Sequence, residues 1–307
     1  MKKAEHMGLT GTNSPCIATI GFFDGVHKGH LCLIDQLKEE ARQRELPSLL
    51  LTFDRHPRAV LHPGESISLL TTPAEKVGLL KQSGADGVAV LPFTPELSRL
   101  TARDFMQQVL RQRFGVTALL LGYDHRFGHG GGTWDDYRAW GTESGIEIVK
   151  ATELVGDHVS SSRCRQLLMA GDVDSVASLL GRRYTLGGRV VHGFHVGHEL
   201  GFPTANIAPD EGKLIPLRGV YAAWVVLNDG TRHRAMLNIG QRPTIGNGDT
   251  QSIEVNLLDF HGDLYGQRIS IDFVGRLRNE QRFASKEELI QQLQRDKKKA
   301  ESMLHKE

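Results

Sequence analysis

Two histidines three residues apart, His27 and His30, stand in the stretch Gly21-Phe22-Phe23-Asp24-Gly25-Val26-His27-Lys28-Gly29-His30. The apolar run Ile17-Ala18-Thr19-Ile20 comes just before it and predicts a buried strand. From Leu31 to about Arg44 the spacing is helical, with Leu33, Ile34, Leu37 and Ala41 on one face. The histidines therefore fall where a strand ends and a helix begins. Free backbone N–H groups and the positive end of the helix dipole make such a junction an anion site. Imidazoles at this spacing share one side of the first turn and can donate to phosphate oxygens. Gly29 leaves room for a nucleotide to approach the backbone. The plainer reading is a pair of surface histidines at a helix start.

Other stretches could meet a phosphorylated ligand. Val159-Ser160-Ser161-Ser162-Arg163-Cys164-Arg165 opens a predicted helix, where hydroxyls serve as caps. Arg163 and Arg165 can also fork onto phosphate oxygens, with Ser161 and Ser162 beside them. In Gly122-Tyr123-Asp124-His125-Arg126-Phe127-Gly128, Asp124 suits a hydroxyl or amine and Arg126 a phosphate, or the two form a loop ion pair. Phe53-Asp54-Arg55-His56-Pro57 follows a second apolar run, and Pro57 biases His56 toward extended geometry.

In the second half, Gly201-Phe202-Pro203-Thr204-Ala205-Asn206 would, if extended, turn Thr204 and Asn206 to the same side. Two neutral oxygen ligands suit a Mg²⁺ that phosphates also hold. On spacing alone the segment reads equally as a proline turn before an ordinary strand. In Ile253-Glu254-Val255-Asn256-Leu257 the apolar residues alternate toward a core and leave Glu254 and Asn256 on the other face. A carboxylate there can accept a proton from an attacking alcohol, or it is a surface glutamate. Arg276 to Phe283 is a basic loop with one aromatic ring.

The elements that must position these residues follow two grammars. Continuous apolar runs at 17–20, 48–53, 87–91, 118–121 and 146–149 alternate with helical patterns near 73–83, 102–113 and 133–144. This is the pattern of a parallel sheet covered on both faces, which binds ligands beyond the carboxyl ends of its strands. Helices over 160–170 and 173–180 follow, the second ending at Gly181. Beyond Tyr184, glycines punctuate short alternating strands, and Asn228-Asp229-Gly230 marks a hairpin turn. The spacing fits an antiparallel barrel or a sandwich. Ser285-Lys286-Glu287-Glu288 reads as a capping box before a last helix. We place the boundary at Gly181, giving domains 1–181 and 182–307.

The chain has 307 residues, enough for two domains. It is 39% hydrophobic and 24% charged, which is ordinary for a soluble protein. The net charge of +1 gives no global pull toward nucleic acid or membrane. Cys16, Cys32 and Cys164 lack metal-ligand spacing and read as reduced core thiols of a cytoplasmic protein. Met1 to Ser14 has no apolar signal-peptide core and is expected to be loosely held, and no apolar run spans a bilayer.

The His-x-Gly-His stretch is similar to the motif of nucleotidyltransferases. With Phe53 to Pro57, Gly122 to Gly128, Val159 to Arg165, Pro203-Thr-Ala-Asn206, Glu254 to Phe260 and Asp263-Leu-Tyr-Gly266 in this order, nearly the whole chain resembles the bacterial bifunctional riboflavin kinase/FAD synthetase family. The resemblance implies an α/β plus β architecture. A Rossmann-like nucleotidyltransferase domain would adenylylate FMN to FAD and release pyrophosphate. A six-stranded antiparallel barrel with a terminal helix would phosphorylate riboflavin to FMN. Carried over residue by residue, Gly21, Phe23, Asp24, His27, Gly29 and His30 hold ATP, with His27 and His30 on its phosphates. Ser161, Ser162, Arg163 and Arg165 grip the departing pyrophosphate. Asp124 and Arg126 contact the flavin. In the barrel, Gly201, Pro203, Thr204 and Asn206 take Mg-ATP, Thr204 and Asn206 at the metal. Glu254 is the general base, and Arg278, Glu280 and Phe283 lie by the flavin. Mg²⁺ accompanies ATP, flavins are substrates and products, and homo-oligomerisation is left open.

The chain departs from the family pattern at His125, where an aromatic residue is more usual, and at Gly130-Gly131-Gly132, where a basic residue is. Gly193 to Gly201 resembles a mobile cover over the nucleotide, its glycines permitting hinge motion. His195 and His198 stand there in place of the usual basic side chains. If they touch phosphate, kinase activity falls as they lose their protons near neutral pH.

Overall fold

The five apolar runs of the first half become β1 Cys16–Ile20, β2 Ser48–Phe53, β3 Gly87–Leu91, β4 Val116–Leu121 and β5 Glu147–Lys150. They pair in parallel in the order β3-β2-β1-β4-β5. Every residue of β1 is buried because both faces of the sheet are covered. Cys16, Ala18 and Ile20 pack on one side with Phe105, Met106 and Leu110, while Ile17 meets Ile34, Leu37 and Ala41 on the other. The computed structural model describes residues 14–62, 64, 67–122, 127–153, 159–192, 201–242 and 250–305.

Helix α1 spans Lys28–Gln43, starting immediately after His27. The short α2 Pro57–Leu61, α3 Pro73–Gln82 and α4 Pro95–Arg99 each carry proline in the first turn, where its missing N–H costs nothing. The helix expected over 102–113 is a composite. α5 Ala102–Asp104 and α6 Gln112–Phe114 flank a π-helical stretch, Phe105–Arg111. The widened turn keeps Phe105, Met106, Val109 and Leu110 on the core. α7 Trp134–Ser144 has a complete capping box between Thr133 and Asp136.

The chain divides into two compact units, Met1–Ser160 and Ser161–Glu307. The second begins with α8 Ser161–Ala170 and α9 Val173–Leu180, which ends at left-handed Gly181 (φ 73°). α9 packs on the barrel, and Leu217 N–H donates to Leu168 of α8. The unit therefore includes two helices that precede Gly181.

The strands β6 Thr185–Val191, β7 Ala205–Pro209, β8 Gly219–Val226, β9 Arg232–Arg242, β10 Thr250–Leu257 and β11 Arg268–Arg278 close a barrel in the order β10-β7-β6-β11-β8-β9. Of the two architectures left open by strand spacing, the barrel is therefore the one formed. Asn228 to Gly230 makes the β8–β9 turn, with Gly230 at φ 83° and Leu227 N–H bonded to Thr231. The last helix, α10 Lys286–Leu304, lays Leu293, Ala300, Met303 and Leu304 against Val220, Ala222 and Met236 on the outside of the barrel. Its expected capping box is only half formed. Ser285 accepts from Glu288 N–H, whereas the Glu288 carboxylate takes Ala284 N–H rather than that of Ser285.

Candidate active sites

In the first unit the turn after β1 holds the two histidines under strain. Phe23 (φ 57°) and Val26 (φ 39°) both occupy the left-handed region, which costs a branched side chain most. Asp24 anchors the turn from within. Its buried carboxylate accepts from Leu70 N–H (3.1 Å), Thr71 N–H (3.0 Å) and the Thr71 hydroxyl (3.2 Å). Thr71 in turn accepts from Gly25 N–H at 3.0 Å. At least this much of Asp24 is therefore structural.

His27 is only 5% exposed and is the N-cap of α1, its Nδ1 accepting His30 N–H at 3.3 Å. One of the helix N–H groups expected to meet an anion is thus taken by His27 itself. That bond leaves Nε2 as the proton-bearing nitrogen in the neutral ring. The two imidazoles stack, centroids 3.6 Å apart and 15° from parallel, and the Phe23 ring meets His30 edge-on at 5.2 Å. A Cβ on residue 29 would lie 3.2 Å from the His27 ring and 3.5 Å from the Val159 carbonyl. Gly29 therefore makes space for His27 as well as for any ligand. Gly21 similarly lies under the Phe23 ring, 3.0 Å from a would-be Cβ.

Beside this turn lies an apolar cavity of about 500 Å³. Gly21 and Phe22 beyond β1, Phe53 at the end of β2, Phe93 beyond β3 and Phe127 beyond β4 line it, with Phe105 from the π-helical stretch. It therefore sits at the carboxyl ends of the parallel strands, as the sheet topology requires. Phe53 and Phe93 meet edge to face at 5.1 Å, and Phe105 and Phe127 at 5.6 Å. A planar aromatic ligand suits such walls. His129, absent from the sequence-based set, also lines the cavity, and its N–H donates to Leu100 at 2.8 Å. His56 caps α2 by accepting Arg58 N–H and turns its ring edge to Phe22 at 4.6 Å. Asp124, His125 and Arg126 lie outside the described residues.

Ser161, Ser162, Arg163 and Arg165 open α8 in the second unit. Ser162 and Arg163 are exposed. Ser175 donates to Asp172 and, with the charge of Arg163, holds that carboxyl below its usual range.

On the barrel, Glu254 lies opposite Asn206 of β7 on one side and Asn238 of β9 on the other. Residues opposite one another share a face, so the three form a polar row across three strands. Ile253 and Val255 alternate into the barrel, as the spacing predicted. A cavity of about 320 Å³ reaches Glu254 and Asn238 of this row. Its walls include Thr204, Asn238, Glu254, Asn256, Arg278, Glu280 and Phe283, with Leu289 and Leu293 from α10. A second cavity, about 270 Å³, is lined by Pro203, Thr204, Ala205, Asp263 and Tyr265 among others. Thr204 is common to both cavities.

Asn256, which shares a face with Glu254, fixes the Pro-Thr turn by donating to the Pro203 carbonyl at 2.7 Å. Arg278 is partly committed: its Nε is 2.8 Å from buried Asp296 of α10, and its Nη1 donates to Asn279. Glu280 rests where a side chain on residue 240 would stand, its Oε1 2.5 Å from the Cβ position of Gly240. Gly201 has φ 76° before the turn. Residues 193–200, with His195 and His198, lie outside the described residues.

Among the described residues no group of three or more His, Cys, Asp and Glu side chains is placed to hold a metal ion. Thr204 lines both cavities, whereas Asn206 is among the lining residues of neither; neutral oxygens of this kind suit a Mg²⁺ that draws most of its ligands from phosphate and water. Among the described residues no helix is long and apolar enough to cross a membrane.

Two family models match separate parts of the chain. The FAD synthetase family model matches residues 9–163 and the riboflavin kinase model residues 180–304. The bifunctional riboflavin kinase/FMN adenylyltransferase of Escherichia coli K12 is 38% identical over 92% of this chain and 90% of its own. That of Bacillus subtilis is 34% identical over 96% and 94%. A crystal structure described as a macrolide-efflux protein from Streptococcus pneumoniae is 31% identical, covers 94% of each chain and superposes with a TM-score of 0.84. With a paired-histidine turn beside an aromatic cavity in one unit, a polar row around Glu254 on a closed barrel in the other, and matches along nearly its full length, the chain belongs to the bifunctional riboflavin kinase/FMN adenylyltransferase family.

Proposed function

We propose that residues 182–307 phosphorylate riboflavin to FMN and that residues 1–181 adenylylate FMN to FAD, each with ATP. The observation that carries the kinase assignment is Thr204, shared by the cavity holding Glu254 and by the neighbouring cavity. One cavity takes the flavin and the other the nucleotide, with the transferred phosphoryl group passing at Thr204. Glu254 accepts the proton of the ribityl 5′-hydroxyl as its oxygen attacks the γ-phosphorus, and the bond from γ-phosphorus to the bridging oxygen breaks to leave ADP. Asn206 and Asn238 flank Glu254 on the neighbouring strands. Thr204 and Asn206 would hold the Mg²⁺, which neutralises phosphate charge when bound. Arg278, Glu280 and Phe283 orient the flavin, with Asp296 keeping Arg278 in place.

In the first domain the FMN phosphate is already ionised, so its attack on the α-phosphorus of ATP needs no strong base. The bond from α-phosphorus to the bridging oxygen breaks and pyrophosphate leaves. His27 and His30 donate to the ATP phosphates, while Gly21, Phe23, Asp24 and Gly29 shape their turn. Ser161, Ser162, Arg163 and Arg165 receive the pyrophosphate. The aromatic cavity takes the isoalloxazine ring, and Asp124 and Arg126 contact the flavin phosphate side. Catalysis here is positioning and charge neutralisation. We place the enzyme in the cytoplasm, consistent with three free thiols and with its substrates, and assign it no nucleic-acid partner.

Separated sites make a clean test. Glu254→Gln should abolish FMN formation from riboflavin and leave FAD formation from supplied FMN. His30→Ala should do the reverse. Loss of both activities from either single change would overturn the division.

A further inference from the structure

Lys76, on the first turn of α3, is a charged side chain that the two reactions leave unused. It is 1% exposed, beneath the turn and the aromatic cavity of the first unit. Its Nζ donates to the Phe53 carbonyl at 2.7 Å and sits 3.7 Å from the centre of the Phe22 ring. Phe22 and Phe53 both line the cavity, and they come from the ends of different strands. The Phe22 carbonyl is held separately by the Thr52 hydroxyl at 3.1 Å.

Burying an ammonium is costly, and a leucine or methionine would fill the same space. What an apolar residue would not supply is a cation drawing several partners together. Asp24 faces it from the histidine turn and Asp54 from the end of β2, and both favour its charged form. Asp54 is itself paired with Arg55 and bonded to Phe93 N–H at 2.9 Å. His56 meets the edge of Phe22, and Glu75, next to Lys76, is bonded to Thr72 N–H. The ammonium thus links the turn carrying His27 and His30, the end of β2 and one wall of the cavity.

We propose that Lys76 is a positioning residue for adenylyl transfer, its ammonium holding the Phe22 wall and the end of β2 in register with the paired histidines. This rests on the adenylyltransferase reading of the first domain. Desolvation lowers the ammonium to about 8, against the pull of Asp24 and Asp54. The positioning charge is therefore present at neutral pH and lost in mildly alkaline solution. Loss of the proton relieves the burial of charge, so a decline in activity from this cause would not be a decline in stability.

The test measures FAD formation from FMN and FMN formation from riboflavin between pH 6.5 and 9.5, with the full chain and with Lys76→Met. Methionine keeps the length and removes the charge. We expect wild-type FAD formation to fall above pH 8 while FMN formation shows no matching fall. At pH 7 Lys76→Met should lose on the order of tenfold or more in kcat/KM for FMN, keep its kinase activity and melting temperature, and lack the alkaline limb. An alkaline limb unchanged in Lys76→Met, or FAD formation within about twofold of wild type at pH 7, overturns the inference alone. So does a wild-type profile with no limb specific to FAD, which settles the matter even if the variant fails to fold. No FAD from wild type at any pH overturns the adenylyltransferase reading and this inference together.

Discussion

Replacing Gly128 with alanine should damage one activity and spare the other. Gly128 has φ 83°, and a Cβ there would stand 2.3 Å from the backbone nitrogen of Ala102 and 2.5 Å from its Cα. The left-handed conformation alone costs a non-glycine residue about 1–2 kcal/mol. The contact is with backbone, so no rotamer change relieves it, and the segments around 101 and 128 must part. Parting breaks the bond from His129 N–H to Leu100, worth about 1 kcal/mol, together with the Thr101–His129 bridge. The sum is about 2–4 kcal/mol, or about 30- to 1,000-fold in the docked population. Phe127, Gly128, His129 and Gly130 all line the aromatic cavity, so undocking opens the wall assigned to the flavin ring. The assay is kcat/KM for FMN in FAD formation, with riboflavin phosphorylation in the same preparation as the internal control. Gly130→Ala separates the two costs, since its φ is 81° but nothing lies within 4 Å of a Cβ there. It should therefore show only the conformational cost. FAD formation within about twofold of wild type in Gly128→Ala, or equal loss of both activities, would refute the reasoning.

Asp296→Ala should destabilise the barrel unit by about 3–5 kcal/mol in a denaturant titration, because it strands Arg278 beside α10 with its side chain 14% exposed, and riboflavin KM should rise with it. A Cβ on Gly240 would stand 2.5 Å from the exposed Glu280 carboxylate and 3.0 Å from the Asn238 side-chain amide, both ends of flexible side chains, so Gly240→Ala should leave stability within about 0.5 kcal/mol of wild type while riboflavin KM rises. An unchanged KM would remove Glu280 from the flavin site. Between pH 8 and 10.5 the unfolded chain carries a proton on Lys76 that the folded chain has lost, so this group adds stability as pH rises through that window. Wild type should gain on Lys76→Met there, by at most about 3 kcal/mol in chemical denaturation.

Sequence reasoning reached the sheet because its strands are buried on both faces and read as unbroken apolar runs. It reached the paired histidines and Glu254 because each lies in a short segment whose spacing is visible. The aromatic cavity was not legible in that way. Its walls, from Phe22 to Gly130, come together only through the parallel strand order. Asp24 looked like a ligand to ATP, yet its carboxylate ties down Leu70 and Thr71, contacts that no local pattern encodes. Lys76 was passed over because a lysine on a helix reads as solvated. Its spacing from Leu80, four residues on along the same helix face, was the available signal. Asn238 and Asn256 gained meaning only once β9, β10 and the Pro203 turn were in register.

One chain with two separate, consecutive ATP-dependent sites implies a fixed order and stoichiometry of products. Purified protein incubated with riboflavin and Mg-ATP, sampled over time for flavins, ADP and pyrophosphate, tests it most directly. FMN should appear first with one ADP for each flavin phosphorylated, and FAD should follow with one pyrophosphate for each FAD. FMN that accumulates without FAD or pyrophosphate, including when FMN itself is supplied, would contradict it.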